Sequence, residues 1–344
     1  MRFRSVHIES LACALPEERV RSEAIEERLA PVYERLGLST GRLELMTGIA
    51  ERRFWPPGTR PSTVAAEAGR QALERAGFGR ERIGRLVHAS VSRDFLEPAT
   101  ASVVHARLGL GPECPAYDLS NACLGFANAM ELVAGQIEHG AIDAGLVVAG
   151  EDGRPLVEET VRRLTAGNGA DRAELKRAFA SLTIGSGAAA CVLAREGLAT
   201  SGHRLEGTTC RADTEHHALC AGDRAGEGGL LMETDAEALL VAGNALAVRT
   251  FGDFCREHDL DPGRIDRFVT HQVGAAHRRT LFEALELDPA KDFPTVGFLG
   301  NVGSVSLPAT LALAAEEGFV SDGHRVAMLG IGSGLFCQML SVSW

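Results

Sequence analysis

Cys123, His271 and Asn301 each combine a side chain capable of chemistry with a place in the chain that would present it. Cys123 lies in Asp118-Leu119-Ser120-Asn121-Ala122-Cys123-Leu124-Gly125-Phe126, where a short strand pattern gives way to an apolar helix. A thiol there meets the positive end of the helix dipole, which favours thiolate. The unpaired N–H groups of the first turn can hold an oxyanion, so a nucleophile is the role this position suits. The plainer alternative is a small buried hydrophobe, the commonest fate of a free cysteine. His271 closes Phe268-Val269-Thr270 and precedes Gln272-Val273-Gly274, a strand-to-helix turn of the kind where α/β folds gather catalytic groups. Its alternative is a hydrogen-bonded structural histidine. Asn301, in Leu299-Gly300-Asn301-Val302-Gly303-Ser304, either caps a helix or points an amide donor into a site.

The surrounding pattern is that of an α/β protein. Residues 86–91, 116–119 and 144–150 read as buried strands, and a further strand runs to Leu193 from Ile184-Gly185-Ser186-Gly187. Ser62 or Thr63 is placed to cap a helix through Val64, Ala68, Ala72 and Leu73 that stops at Gly77. Beyond Cys123, the residues Phe126, Ala127, Met130, Val133, Ala134 and Ile137 recur at helical spacing up to Gly140. Residues 151–180 are charged and helix-prone, as in a surface insertion, and the Gly-rich acidic run 221–229 reads as an exposed loop.

An internal repeat organises these elements. Asn121 and Gly150 are separated by the same number of residues as Asn301 and Gly330. Each interval holds a turn, an apolar helix, a Gly-containing break and a short apolar strand; the second copy carries Leu307, Thr310, Leu311 and Ala314, then Val326-Ala327-Met328-Leu329. Duplication into two fused α/β halves, residues 1–199 and 200–344, is the physical expectation. Symmetric packing of the halves would bring the Cys123 and Asn301 turns face to face, with His271 nearby.

Composition excludes several functions. Hydrophobic residues make up 45% and charged residues 24%, which predicts a folded globular chain. A net charge of −11 argues against tracking nucleic-acid phosphates. No apolar run reaches membrane-spanning length and the N-terminus lacks a signal-peptide core, so a cytoplasmic protein is expected. Lys176 and Lys291 are the only lysines, leaving few candidates for Schiff-base or phosphate-cradling chemistry. The eight cysteines include no Cys-x-x-Cys pair. Cys210, His216, His217 and Cys220 match no familiar zinc spacing, so no metal is expected. Gly330-Ile331-Gly332-Ser333-Gly334 is glycine-rich like a phosphate loop, but a strand follows it rather than a helix.

With these motifs in order, the chain resembles the thiolase superfamily, and within it the β-ketoacyl-ACP synthase III branch. Thr47-Gly48-Ile49-Ala50-Glu51-Arg52, Asn121-Ala122-Cys123, His271-Gln272, Gly300-Asn301 and the Gly330–Gly334 run are similar to motifs of that branch. The resemblance implies a five-layer αβαβα fold, a homodimer or heterodimer, and acyl-thioester chemistry on Cys123, with backbone N–H groups of Cys123 and Ser333 as the oxyanion hole. It implies no cofactor beyond CoA thioesters as substrates.

Within the branch, the stretch Ser90-Val91-Ser92-Arg93-Asp94-Phe95-Leu96-Glu97-Pro98-Ala99-Thr100 is similar to that of OleA-type enzymes, which condense two fatty acyl-CoAs head to head. Decarboxylating relatives usually carry an aromatic residue where Glu97 stands. The resemblance gives Glu97 the role of base in the partner subunit's site; the plainer alternative is a solvated loop residue. His271 and Asn301 would then hold the enolate, and the product would be a 2-alkyl-3-oxo acid for olefin or β-lactone hydrocarbon pathways. A β-keto acid reductase and a β-lactone synthetase are the implied downstream partners. Two alternatives stay open: a decarboxylating synthase using malonyl-ACP, and a non-catalytic subunit of a heterodimer. Met46 departs from the better-known synthases, which use Arg near the nucleotide, so the CoA contacts do not carry over.

Overall fold

The computed structural model describes residues 1–166, 170–225 and 229–344. Its main feature is a nine-stranded sheet. One side of the sheet holds, from its edge inward, Ala116–Asp118, Ile83–His88, Ala144–Glu151, Gly187–Arg195 and Val6–Ala14. The other continues through Arg204–Ala212, Phe336–Ser343 and Arg325–Gly332 to Arg267–Thr270. A short antiparallel contact, with His7 opposite Arg204, joins the two sides.

Strand alternation sorts the side chains into layers, because successive residues point to opposite faces. Leu86, Leu146, Val148, Ala190 and Val192 face one way, onto the helices Pro61–Arg75 and Thr100–Leu108. Their neighbours Val87, Val147, Ala149, Cys191 and Leu193 face the other way. There they share a core with Val269, Val326, Met328, Leu340 and Val342 from the second side. The helices Gly125–Glu138 and Ser306–Glu316 fill the space between them, through Met130 and Val133 on one and Leu307 and Leu311 on the other. Phe268, Ala327, Leu329 and Met339 point outward beneath Ala236–Glu257 and Ala275–Ala284. The result is five layers, αβαβα. Ala236–Glu257 is long and apolar enough to cross a membrane, but Leu246, Ala247, Phe251 and Phe254 pack it on the sheet as a core helix.

Three local expectations need correction. The helix expected to be capped by Ser62 or Thr63 begins at Pro61, with Arg60 at the cap and no side-chain cap bond. Proline supplies the start, since its fixed φ suits the first turn, and Ser62 instead donates its N–H and hydroxyl to Asp94. The run 221–229 is not a plain loop. Cys220–Ala225 and Gly229–Thr234 pair antiparallel as a hairpin, with 226–228 outside the described residues. The insertion 151–180, apart from 167–169, is packed rather than merely solvated. Val157, Val161, Leu164 and Leu175 from its helices Arg154–Thr165 and Arg172–Ala178 form a core with Leu29, Val32 and Tyr33.

Candidate active site

Cys123 sits on a tight turn between the edge strand Ala116–Asp118 and the helix Gly125–Glu138. Ala122 takes a left-handed φ of 44, uncommon for a residue with a Cβ, so local strain is held here by the surrounding fold. Leu124 donates its N–H to Asn121 O at 2.9 Å and Gly125 donates to Ala122 O at 3.2 Å, closing the turn. A polar chain secures it from below. Asn121 donates to Asn128 at 2.7 Å, Asn128 to Gln338 at 2.7 Å, and Gln338 to Glu131 at 2.6 Å.

The glycine-rich terminal turn lies directly against the nucleophile turn. A Cβ on Gly330 would come within 2.7 Å of Leu124 Cδ2, and one on Gly332 within 3.1 Å of Leu124 Cγ. Glycine at these two positions permits the close approach that brings Ser333 beside Cys123. Both residues line one apolar cavity of about 100 Å³, together with His271, Leu239, Leu281 and Met339.

The thiol behaves differently from the sequence expectation. Burial pushes it up to about 12, with Cys220 and Glu151 adding to the rise and only its own backbone N–H favouring the anion. The helix proper starts two residues later, with Leu124 as cap, and among the described residues no cation offsets the loss of water. Burial thus favours the protonated thiol at rest.

His271 follows the strand Arg267–Thr270 and donates its backbone N–H to Leu329 O at 2.9 Å. It is buried, and neither ring nitrogen has a hydrogen-bond partner among the described residues. Burial, with a smaller contribution from His277, lowers it to about 4, so the imidazole is neutral near pH 7. The adjoining Gln272 is structural. Its amide donates to Phe293 O at 2.7 Å and its oxygen accepts from the N–H groups of Thr295 and Val296.

Asn301 is not among the residues lining the Cys123–His271 cavity. Its N–H donates to Thr183 O and its carbonyl accepts from Gly185, both at 2.9 Å. Its side-chain oxygen accepts from Gly303 N–H at 3.0 Å. The local cap and the amide donor are therefore compatible, because one oxygen bond fixes the plane and leaves the NH₂ group available. Glu97 stands apart, exposed beside an exposed Leu96 on the loop 91–99. The base of that loop is firmly held. Asp94 accepts from Ser62, and Asp118 accepts from the N–H groups of Thr100 and Ala101 at 2.9 and 2.8 Å.

Glu151 went unnoticed in the sequence, where it opens a charged stretch. It is buried, 5% exposed, and joins the loop 91–99 to the Asn301 turn. The signal was its place at the end of the apolar run 144–150. Among the described residues, the group compact enough to share a metal ion is Asp213, Glu215 and His216, and it includes none of Cys210, His217 and Cys220.

A cysteine on a strained strand-to-helix turn, sharing an apolar cavity with a neutral histidine inside a five-layer αβαβα fold, fits a thiolase-fold condensing enzyme. Residues 117–214 match the model of 3-oxoacyl-[acyl-carrier-protein] synthase III, and residues 255–344 match that of its C-terminal part. The chain is 40% identical to an acyl-CoA:acyl-CoA alkyltransferase of Xanthomonas campestris pv. campestris and 38% identical to one of Shewanella oneidensis, covering all of each. A β-ketoacyl-[acyl-carrier-protein] synthase III of Aliarcobacter butzleri is 28% identical, over 84% of this chain and 85% of that protein. Solved structures of X. campestris OleA superpose with a TM-score of 0.95, one of them covering 100% of this chain and 98% of that one at 39% identity. The chain thus belongs to the thiolase superfamily, in the 3-oxoacyl-ACP synthase III branch, alongside the OleA acyl-CoA:acyl-CoA alkyltransferases. Among the solved OleA structures are variants replacing a glutamate, a histidine or a cysteine, and one with bound lauric acid and lauroyl-CoA. The replaced glutamate and cysteine stand as far apart in that chain as Glu97 and Cys123 do in this one.

Proposed function

We propose that this enzyme condenses two fatty acyl-CoA molecules head to head, without decarboxylation, and yields a 2-alkyl-3-oxo acid. The observation that carries the reading is end-to-end identity with two acyl-CoA:acyl-CoA alkyltransferases. It is supported by a chain that places Cys123 and His271 on one apolar cavity. In the first half-reaction the Cys123 thiol gives up its proton and the sulfur attacks the thioester carbonyl. The bond to CoA breaks, CoA leaves as its thiol, and the acyl group stays on Cys123. The N–H groups of Cys123 and Ser333 hold the oxyanion.

In the second half-reaction His271 and Asn301 donate to the thioester oxygen of the second acyl-CoA. A neutral imidazole suits this role, since it carries one N–H without a charge to desolvate. The partner subunit's Glu97 removes the α-proton, and the enolate carbon attacks the acyl carbon on Cys123. A carbon–carbon bond forms and sulfur leaves as thiolate. Water then cleaves the remaining CoA thioester. The exposed tip and anchored base of the loop 91–99 suit a side chain lent across a homodimer. The chemistry needs no cofactor, and its proposed setting is the cytoplasm, ahead of a reductase and a β-lactone synthetase.

Incubation with myristoyl-CoA alone tests the reading. Mass spectrometry is expected to find the condensed β-keto acid or the ketone formed when it loses CO₂. Turnover only with a malonyl thioester would replace this function with that of a decarboxylating synthase.

A further inference from the structure

Glu151 ends the strand Ala144–Glu151, and its carboxyl group gathers donors from two other segments. Oε1 accepts from Val91 N–H at 2.9 Å, from the Ser304 hydroxyl at 2.7 Å and from Ser304 N–H at 3.3 Å. Oε2 accepts from Ser92 N–H at 3.0 Å. Val91 and Ser92 open the loop that bears Glu97; Ser304 closes the turn that bears Asn301. Among the described residues no Lys, Arg or His pairs with this carboxyl group. A buried acid held by neutral donors alone is expensive to desolvate, and apolar packing would fill the same space at less cost. Its presence calls for a task that apolar packing does not perform.

We infer that Glu151 is a positioning residue for condensation, fixing the Asn301 turn of a subunit's own site and the Glu97 loop it lends to its partner in one rigid unit. The inference rests on the function proposed above. Glu151 also acts on the nucleophile through its charge. The titratable and charged groups around the thiol are Glu151 from this strand, Cys220 from the hairpin, and His271, His277 and Arg278 from the cavity wall. Burial does most to hold the thiol in its protonated form, and of these groups Cys220 and Glu151 add to it.

Glu151→Gln and Glu151→Asp separate the geometric part from the charge. Glutamine keeps the length but turns an NH₂ group toward N–H donors; aspartate keeps the charge but falls one methylene short. Three measurements are read side by side in the whole enzyme: acylation of Cys123 by myristoyl-CoA, condensation, and the pH dependence of Cys123 alkylation by iodoacetamide. Glu151→Asp is expected to acylate as the wild type does and Glu151→Gln at least as fast, while both condense roughly 10- to 100-fold more slowly, the scale of a misplaced reacting group. The alkylation profile should move to lower pH in Glu151→Gln and stay in place in Glu151→Asp. Condensation at the wild-type rate in either variant overturns the proposal, as does an equal fall in acylation and condensation, the mark of general damage. A wild type that condenses only malonyl thioesters would reject the proposed substrate instead, and the same comparison would then be read with the malonyl donor.

Discussion

His271 and Cys123 open onto the same apolar cavity, yet His271 has both ring nitrogens unpartnered among the described residues. An imidazole so placed has two conceivable tasks, to take the thiol proton or to donate to substrate. His271→Ala distinguishes them. As a donor to the enolate it should leave acyl-Cys123 formation intact and slow condensation by about 10²–10³, the usual loss for one oxyanion donor. An equal fall in both half-reactions, measured by intact-protein mass spectrometry and product formation, would make it the activator of the thiol.

The low proton affinity of His271 also fixes a sign. Its folded value is about 4 against 6.5 for the ordinary group, so protons bind more tightly to the unfolded chain. Its contribution to stability is complete above pH 6.5 and is lost as pH falls from there toward 4. Thermal unfolding at pH 7 and pH 5 should therefore show a smaller acid-induced drop in His271→Asn than in the wild type. The condensation rate should likewise show no inflection from this residue near pH 6.5.

Cys123 should resist alkylation at neutral pH. With its thiol pushed up to about 12, the rate with iodoacetamide is expected to climb through pH 9 and 10 without a plateau. A plateau below pH 8, followed by peptide mapping, would restore the dipole-lowered thiolate that the helix end suggested. Cys123→Ser should form no acyl-enzyme in either case.

Much of this site was open to inspection in the sequence because strand ends and turns leave local marks. Cys123 and His271 both follow short apolar runs, and the repeat ties the Cys123 turn to the Asn301 turn. Glu151 left no such mark, because a charge in sequence reads as surface. The donors that bury it, Val91 and Ser304, lie 60 and 153 residues away. The thiol was misread for the same reason: a helix dipole is a local property, whereas loss of water is a property of the packed whole. The hairpin after Cys220 was hidden by its glycines, which suit a turn or a strand with close neighbours equally well.

Glu97→Gln keeps the shape of the side chain and removes its basicity. Acylation of Cys123 should be normal, with condensation of two acyl-CoAs down by at least about 10². Because the residue is proposed to act across the dimer, mixing Glu97→Gln with Cys123→Ala subunits should restore one working site per mixed dimer. Failure of that mixture, with subunit exchange verified by native mass spectrometry, would remove the cross-subunit assignment.

The close approach of the two turns gives a packing prediction. Gly330→Ala would set a methyl group 2.7 Å from Leu124 Cδ2, and overpacking of this kind typically costs about 1–3 kcal/mol. A lowered melting temperature together with slower acylation is expected, since Leu124 adjoins the nucleophile. An unchanged melting temperature would mean that the terminal turn yields freely.

The cavity between Cys123 and His271, at about 100 Å³, is smaller than the roughly 150 Å³ hollow that accepts a benzene ring. On the proposed function, a fatty chain must make most of its own room. The walls it meets include Leu239, Leu240, Leu281 and Leu335, side chains that swing between rotamers more readily than β-branched ones. Each added methylene gains burial and asks for further displacement, so the two contributions run against each other along the chain. On the proposed function, rates across a series of acyl-CoAs should then change gradually with each added methylene rather than fall off sharply at one length.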